Sequence, residues 1–269
     1  MSTYDILVIE DDEIVARTIE RSLRNQEFKV TTATSGVEGL RIARSHMPHL
    51  VILDVIMPGM DGYTVCREMR ADIKLSNVPV LFLTAKIKDE DKITGFKAGG
   101  DDYLSKPFNI DELILRVRAI LRRVDNSSTQ AAANNWEAAD LKELSPYARE
   151  VMEQIQSTAK VVDKTRCLIV GDYVLDTHTY EIYTPQRGKL RLTPVQYDIL
   201  YHLMTHPEQI FTPSRLLDEV WDYPTDAGSP DLVRVHIKNL RERVEVDPSS
   251  PDFIRTVPGY GYTVNPDLE

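Results

Sequence analysis

The residues of this sequence that could do chemistry are carboxylates, a hydroxyl and an amine, each following a short apolar run. Asp54 ends the run Leu50–Leu53, and a Pro/Gly-rich turn follows at once. Such a run suits a strand buried on both faces, which would deliver Asp54 to the carboxyl edge of a parallel sheet, where ligand chemistry gathers. Taken alone, an Asp in this setting is more often a turn former or a helix cap.

More carboxylates follow the first apolar run, Ile6–Ile9, where four acids stand in a row at 10–13. Four successive acids are usually a solvated surface or the first turn of a helix. If the two strands are neighbours, however, Glu10 and Asp11 converge on Asp54, and carboxylates that close raise one another's pKa unless a cation neutralises them. Mg²⁺ fits, because it binds few protein carboxylates and keeps water and phosphate oxygens as its other ligands.

Two later strand ends supply the hydroxyl and the amine. Thr84 ends the run that starts at Val80, and Lys106 follows a short strand near Tyr103. Acids, hydroxyl and ammonium together make a site for in-line phosphoryl transfer, with Asp54 as the nucleophile and the metal offsetting charge on the phosphoryl oxygens. Each residue alone is weak evidence, whereas the set on consecutive strand ends is strong evidence.

The elements that must position these side chains alternate along the first half of the chain. Apolar strand runs alternate with segments of helical period, which favours a parallel sheet with helices on both faces and right-handed connections. The predicted strands are 6–9, 28–32, 50–53, 80–83 and 103–104. The predicted helices lie near 13–25, 36–45, 62–70, 88–98 and 109–123.

With these motifs in place, residues 1–124 resemble the receiver domain of two-component response regulators, which implies a flavodoxin-like α/β fold with the strand order 2-1-3-4-5. The resemblance implies that Asp54 accepts a phosphoryl group from a histidine kinase and that Thr84 and Lys106 bind that group. The alternative is a receiver-like domain that never meets phosphate.

The same resemblance implies a ligand set for Mg²⁺. Asp11 and Asp54 would bind the ion directly, Glu10 through a water molecule, and Ile56 through its backbone carbonyl.

Tyr103 matches the aromatic switch residue of receiver domains. A phosphoryl group on Asp54 would draw the Thr84 hydroxyl inward and vacate space that the Tyr103 ring can fill, so a small charge event could select between two packings. The alternative is an ordinary half-buried aromatic of a strand, and both interpretations can hold.

The chain also resembles the OmpR/PhoB subfamily, whose members dimerise through the helices that flank the fifth strand. Charged pairs around an apolar centre form an isologous homodimer, here expected on phosphorylation. The alternative is that these are exposed helix charges, each of little energetic value. The residues that match this dimer face are Lys92, Ile93, Phe96, Asp102, Glu112, Ile114 and Arg116.

From Cys167 onward the pattern predicts an α+β winged helix-turn-helix domain. Strands are expected at 167–170, 173–176, 181–184 and 190–192, helices at 194–205, 213–221 and 230–246, and a closing hairpin within 253–264. The arrangement resembles the OmpR/PhoB effector domain over nearly all of 167–269. The sequence therefore predicts a domain that binds double-stranded DNA.

The third of these helices would be the recognition helix. Val233, Ile237, Leu240 and Val244 share one face and should point into the core. On the other side, Asn can pair with adenine and Lys with guanine, Val can meet a thymine methyl, and Arg can hold phosphates. The predicted DNA contacts are Arg234, Val235, His236, Lys238, Asn239, Arg241, Arg243 and Arg255.

Charge weakens this prediction. Residues 167–269 carry 9 basic and 16 acidic side chains, net −7, which reduces the electrostatic attraction to DNA. Asp231, Asn239 and Pro258 stand where the subfamily often has arginine. We therefore expect binding that depends on dimerisation or on a second protein. The alternative function is a phospho-switched regulator whose effector domain binds a protein partner.

The bulk properties limit the remaining possibilities. The 269 residues carry a net charge of −10 and two isolated cysteines, which argues against a disulfide framework. With no apolar run of bilayer length and no evident signal peptide, a cytoplasmic protein is expected. No catalytic set suggests an enzyme beyond its own phosphorylation and hydrolysis.

Three parts are expected: a receiver at 1–124, a partly helical linker at 125–166 and an effector domain at 167–269. The linker begins with a polar segment, and Ser145-Pro146 predicts the start of a second linker helix. The loop 222–229 could touch RNA polymerase, as in the subfamily, or could be a plain surface loop.

Overall fold

The computed structural model describes residues 4–24, 27–85, 95, 97–133, 144–158, 166–221 and 229–265. The chain divides into two compact units, Met1–Arg122 and Arg123–Glu269. In the described part of the chain, every helix is too short or too polar to cross a bilayer.

The first unit is built on a five-stranded parallel sheet whose strands, numbered along the chain, lie in the order 2-1-3-4-5. This order confirms the predicted flavodoxin-like topology. The third and fourth strands are buried along their whole length, as expected of a sheet covered on both faces. The strands are β1 Tyr4–Ile9, β2 Phe28–Ala33, β3 Leu50–Asp54, β4 Val80–Thr84 and β5 Asp102–Ser105.

Four helices of this unit are described, and local signals fix their starts. Ser35 caps the second helix and Asp61 caps the third, each accepting a hydrogen bond from a backbone N–H in the first turn. Most of the predicted helix 88–98 lies outside the described residues. The helices are α1 Glu13–Arg24, α2 Gly36–His46, α3 Gly62–Ala71 and α4 Ile110–Ala133.

Helix α4 is longer than predicted. The polar segment Asp125–Gln130, expected to be the start of a linker, continues the helix as far as Ala133. Neither Gly nor Pro occurs anywhere in Ile110–Ala133, so nothing in this stretch breaks the backbone hydrogen-bond ladder. The predicted helix end near residue 123 was therefore wrong.

Arg70 of α3 ties together two loops of the first unit. Its Nε donates to the Gly99 carbonyl at 2.9 Å, and its guanidinium donates to the Val78 carbonyl at 2.7 Å and to Asp101 Oδ2 at 2.8 Å. Asp101 is almost fully buried and also accepts from the Val80 N–H at 2.8 Å. This network fixes the starts of β4 and β5.

The second unit combines an antiparallel four-stranded sheet in sequential order with a separate two-stranded hairpin. Thr193 and Gln196 form a capping box at the start of the helix that follows the sheet. The strands are β6 Cys167–Val170, β7 Tyr173–Asp176, β8 Glu181–Thr184, β9 Gly188–Arg191, β10 Ile254–Val257 and β11 Gly261–Val264. The helices are α5 Pro146–Thr158, α6 Pro194–Thr205, α7 Pro213–Leu216 with a π-helical turn Leu217–Trp221, and α8 Pro230–Val244.

Helix α5 belongs to the second unit. It starts at the predicted Ser145-Pro146, where Ser145 Oγ accepts from the Ala148 N–H at 3.1 Å. Val151 and Ile155 are buried in a cluster that includes Val174 of β7. A segment expected to be linker is thus partly a structural layer of this unit.

The packing of α5 gives a stability prediction. Replacing Ile155, 3% exposed, by Ala should destabilise the second unit by about 2–4 kcal/mol, because a buried branched side chain leaves a cavity. Calorimetry of the full chain would record this as a lower transition temperature. Glu153→Ala, at an exposed position of the same helix, is the control. An unchanged transition in Ile155→Ala would show that α5 does not pack on the sheet in solution.

Candidate functional site

The carboxyl edge of the parallel sheet brings the predicted acids together. Ile9 pairs with Leu53 in register, so the residues that follow them, Glu10 and Asp54, emerge side by side. Glu10, Asp11 and Asp54 can each place one carboxylate oxygen within 4.8 Å of the others. Glu10 and Asp54 are buried, whereas Asp11 is exposed. This is the arrangement that the sequence predicted.

Lys106 reaches the same pocket from the end of β5. Its Nζ lies 2.7 Å from Glu10 Oε2 and 3.0 Å from Asp54 Oδ2. The Lys106 N–H also donates to the Thr84 carbonyl at 2.7 Å, which holds the end of β5 against the end of β4. The ammonium therefore bridges the two buried carboxylates.

The electrostatics of the pocket show an excess of negative charge. Burial raises the pKa of Glu10 to about 7, aided by the charge of Asp54 and opposed by the hydrogen bond from Lys106. Burial tends to lower the pKa of Lys106, but its hydrogen bonds to Glu10 and Asp54 outweigh that effect and raise it. The single ammonium of Lys106 therefore neutralises the carboxylates of Glu10 and Asp54 only in part, and the pocket favours additional positive charge.

The predicted switch residues are both buried. Thr84 is 2% exposed at the end of β4. The Tyr103 ring lies against Phe82, with a ring-centroid distance of 5.1 Å. A Cβ added to Gly95 would lie 1.1 Å from the Tyr103 hydroxyl oxygen. The inward packing of Tyr103 therefore requires glycine at position 95.

In the second unit, α8 presents part of the predicted DNA-binding face to solvent. Arg234 and Lys238 are exposed and Val235 is half-buried, all along one side of the helix. Arg234 contacts Asp231, so an acid already neutralises part of its charge. Arg255, near the start of β10, is exposed, and its Nε donates to the Asp252 carbonyl at 3.1 Å.

His236 and Asn239 depart from the predicted exposure. They are 1% and 4% exposed, and the His236 ring lies 5.5 Å from that of Trp221. The buried side of α8 is wider than one apolar stripe, since Leu232 and His236 lie one turn apart beside the core residue Ile237. Their assignment to an exposed reading surface was wrong for this structure.

Two further arginines of α8 bond within the protein. Arg241 donates to the Ile254 carbonyl from Nε at 2.9 Å and to Thr256 Oγ1 at 2.7 Å. Arg243 contacts the carbonyl of Arg191. Both side chains are half-buried, so they stabilise the domain in addition to any contact with DNA.

Comparison with known proteins decides the family. Residues 6–118 match the response regulator receiver domain, and residues 187–264 match the C-terminal domain of transcriptional regulatory proteins. The DNA-binding response regulator MtrA of Mycolicibacterium smegmatis is 36% identical over 261 residues, which cover 97% of this chain and 96% of the relative. The chain is a response regulator of the OmpR/PhoB subfamily.

Other relatives of the regulator agree. The DNA-binding dual master transcriptional regulator RpaA of a Synechocystis strain is 34% identical over 257 residues, 96% of this chain and 93% of the relative. A solved structure of a RitR mutant has a TM-score of 0.69 at 21% identity, covering 97% of this chain and 99% of that chain, which shows the fold alone.

These matches confirm several predictions. The regulator combines a phosphorylatable receiver with a DNA-binding transcriptional domain, and its relatives are named as regulators, not as enzymes. The alternative, an effector domain that binds a protein instead of DNA, receives no support from them.

The predicted dimer face is only partly described. Lys92, Ile93 and Phe96 lie outside the described residues. Ile114 packs partly against the core of the first unit. Arg116 pairs within its own chain, with Asp102 Oδ2 at 2.9 Å and with Glu112 Oε1 at 2.8 Å. Contacts across a dimer face therefore stay a prediction. In a dimer, Arg116 would have to bind acids of the second copy in place of, or in addition to, Asp102 and Glu112 of its own chain.

Sequence reasoning missed several residues of these sites. Gly95 could have been noticed as an isolated glycine inside a predicted helix, which often has a packing reason. Glu245 stands at the C-terminal end of α8, where a negative charge is unfavourable to the helix dipole and so suggests a specific partner. No local signal pairs Arg70 with Asp101, because their contact depends on the tertiary fold.

The raised pKa of Glu10 predicts how stability depends on pH. A carboxyl whose pKa is higher in the folded than in the unfolded chain is costly to ionise in the fold. For Glu10, this loss of folding free energy is absent well below pH 4.5, grows as the pH rises to about 7 and is constant above that. With metal chelated, Glu10→Gln should therefore stabilise the chain by about 3 kcal/mol at pH 8 and by nothing at pH 3.5.

Urea denaturation in EDTA at both pH values would measure this difference. Glu13→Gln, the same change at an exposed side chain, should have little effect at either pH. A Glu10→Gln variant that is less stable than wild type at pH 8 would show that the Lys106 contact outweighs the cost of burial.

Proposed function

We propose that Asp54 of this regulator accepts a phosphoryl group from a histidine kinase and that the modification promotes dimerisation and promoter binding. One observation carries the proposal: Glu10, Asp11, Asp54 and Lys106 converge at one edge of the sheet, with Thr84 at the neighbouring strand end. The family supplies the class of function, and this pocket supplies the residues.

The transfer is a displacement at phosphorus. An Asp54 carboxylate oxygen forms a bond to phosphorus while the phosphorus–nitrogen bond of the kinase's phosphohistidine breaks and the imidazole leaves. Lys106, already 3.0 Å from Asp54 Oδ2, would pair with an oxygen of the incoming group. The Thr84 hydroxyl would donate a hydrogen bond to another oxygen.

The donor set fits Mg²⁺, since it offers oxygen ligands only and an excess of negative charge. Asp11, Asp54 and the Ile56 carbonyl would hold the ion, with Glu10 acting through water. When bound, Mg²⁺ neutralises charge on the phosphoryl oxygens. Asp11 is exposed, so the site is open to solvent and to the phosphodonor.

Output would pass through Tyr103. Movement of Thr84 toward the phosphoryl group favours the inward ring, and the surface around β5 and α4 then forms the dimer. A dimer would present two α8 helices to double-stranded DNA, with Arg234, Val235 and Lys238 in the major groove and Arg255 near a phosphate. Dimerisation offsets the weak attraction expected of an acidic effector domain.

The partners follow from this function. A histidine kinase and promoter DNA place the regulator in the cytoplasm. Contact with RNA polymerase through the loop 222–229 stays a prediction, because residues 222–228 lie outside the described residues.

Replacement of Asp54 by Asn tests the phosphosite. Wild type treated with acetyl phosphate and Mg²⁺ should gain mass, dimerise and shift a promoter duplex at lower concentration, and Asp54→Asn should do none of these. Phos-tag electrophoresis, light scattering and gel shifts measure the three responses. Asp12→Asn, in the exposed neighbouring loop, is the control. A response that survives in Asp54→Asn would place the phosphosite elsewhere.

Gly95→Ala tests the switch. The added Cβ would collide with the Tyr103 hydroxyl, so the ring should be forced outward. The variant should still be phosphorylated at Asp54, but its phosphorylation-dependent gain in DNA affinity should fall about tenfold. In a Tyr103→Ala background only the milder approach to the Tyr63 ring, 2.8 Å, remains, so Gly95→Ala should add little further loss. An unaltered gain in Gly95→Ala would contradict the switch role of Tyr103.

A further inference from the structure

Glu245 is a buried carboxylate at the C-terminal end of α8. Its side chain accepts three backbone hydrogen bonds from the segment entering the hairpin: from the N–H groups of Asp252 at 3.1 Å, Phe253 at 3.3 Å and Ile254 at 2.7 Å. It is 2% exposed. These bonds compensate for the burial of its charge and fix the first residues of the hairpin to the end of the helix.

Arg241, one helical turn earlier, bonds to the same strand. Its guanidinium donates to the Ile254 carbonyl from Nε at 2.9 Å and from Nη2 at 2.6 Å. Nη2 also reaches Thr256 Oγ1 at 2.7 Å. Glu245 therefore accepts a hydrogen bond from the Ile254 N–H, and Arg241 donates to the Ile254 carbonyl. The helix end thus binds both backbone polar groups of one hairpin residue.

The other strand of the hairpin is anchored to a different element. Phe211 and Tyr262 exchange backbone hydrogen bonds of 2.8 and 2.9 Å. A Cβ at Gly261 would lie 2.0 Å from the Phe211 carbonyl oxygen, so the two backbones approach closely. With this side fixed to the segment before α7, the bonds from α8 decide how the hairpin is oriented relative to the helix.

We infer that Arg241 and Glu245 form a clamp that orients the wing, β10–β11 with its exposed tip 258–260, relative to the recognition helix. The inference rests on the proposed role of α8 and the wing in DNA binding. Arg241, predicted from sequence to hold a phosphate, is a positioning residue, and Glu245 is its partner on the same helix face. The clamp lets the helix and the wing reach the duplex together, without a search over wing orientations.

The electrostatic argument makes the clamp testable. Glu245→Gln removes one negative charge from an acidic domain, so charge alone predicts tighter binding to DNA. The clamp predicts the opposite, because an amide cannot accept all three hydrogen bonds and its NH₂ group would face N–H donors. The sign of the change thus separates the two explanations.

The experiment uses the full chain treated with acetyl phosphate and Mg²⁺, and a duplex recovered from a random-sequence library by the wild type. Glu245→Gln should bind this duplex about tenfold more weakly. Glu208→Gln, the same change at an exposed effector residue, should match wild type or bind slightly more tightly. Amide exchange followed by NMR should be faster at 252–254 in Glu245→Gln and unchanged in β6–β9.

Footprinting separates a positioning role from general damage to the domain. In Glu245→Gln, hydroxyl-radical protection of the DNA backbone contacted by the wing through Arg255 should be lost, while major-groove protection of guanine N7 persists. Equal loss of both kinds of protection, or affinity equal to that of Glu208→Gln, would overturn the clamp. If the wild type recovers no duplex at all, the DNA-binding role of these elements fails first, and the clamp as a DNA-positioning device fails with it.

Discussion

The bridge from Lys106 to Glu10 and Asp54 is the interaction on which the receiver depends. A buried carboxylate without a partner is costly, and two of them side by side repel each other. A single ammonium offsets this cost only partly, so the pocket favours a second cation. The same imbalance suits the proposed roles of Asp54 as phosphoryl acceptor, of the acids as a Mg²⁺ site and of Lys106 as a ligand of the phosphoryl group. The fold thus determines which ligands the pocket can bind, because it fixes where the charges of Glu10, Asp54 and Lys106 lie.

The two units use their scaffolds differently. In the receiver, parallel strands deliver side chains from distant parts of the sequence to one edge, and register alone places Glu10 beside Asp54. In the effector unit, helix α8 and the hairpin β10–β11 are neighbours in sequence, and their relative orientation is set by buried polar contacts. A substitution in the receiver pocket therefore changes mainly the charge of the site. A substitution in the contacts between α8 and the hairpin changes mainly the orientation of the hairpin.

The sequence predicted the receiver pocket well because its signals are local. Apolar runs end directly at Asp54 and Thr84, and the alternation of strands and helices indicates a parallel sheet. The strand order followed from the resemblance to receiver domains. The sequence-based predictions were wrong where tertiary contacts determine whether a side chain is buried or where a helix ends. His236 and Asn239 have polar side chains that suggested exposure, yet the structure buries both. Helix α4 ends later than predicted, because the polar composition of residues 125–130 favours a linker but includes no Gly or Pro that would break a helix. The internal hydrogen bonds of Arg241 were also missed, because sequence does not show that the Ile254 carbonyl accepts them.

Two adjacent acids, Asp101 and Asp102, have a consequence for how the receiver can move. Successive residues of an extended chain point to opposite faces of a sheet, and here one acid is held by Arg70 of α3 and the other by Arg116 of α4. The strand that carries Tyr103 is therefore held by an ion pair on each face of the sheet. A signal arriving at this strand cannot slide it lengthwise at low cost, so it would travel as the turning of one aromatic ring on a stationary backbone.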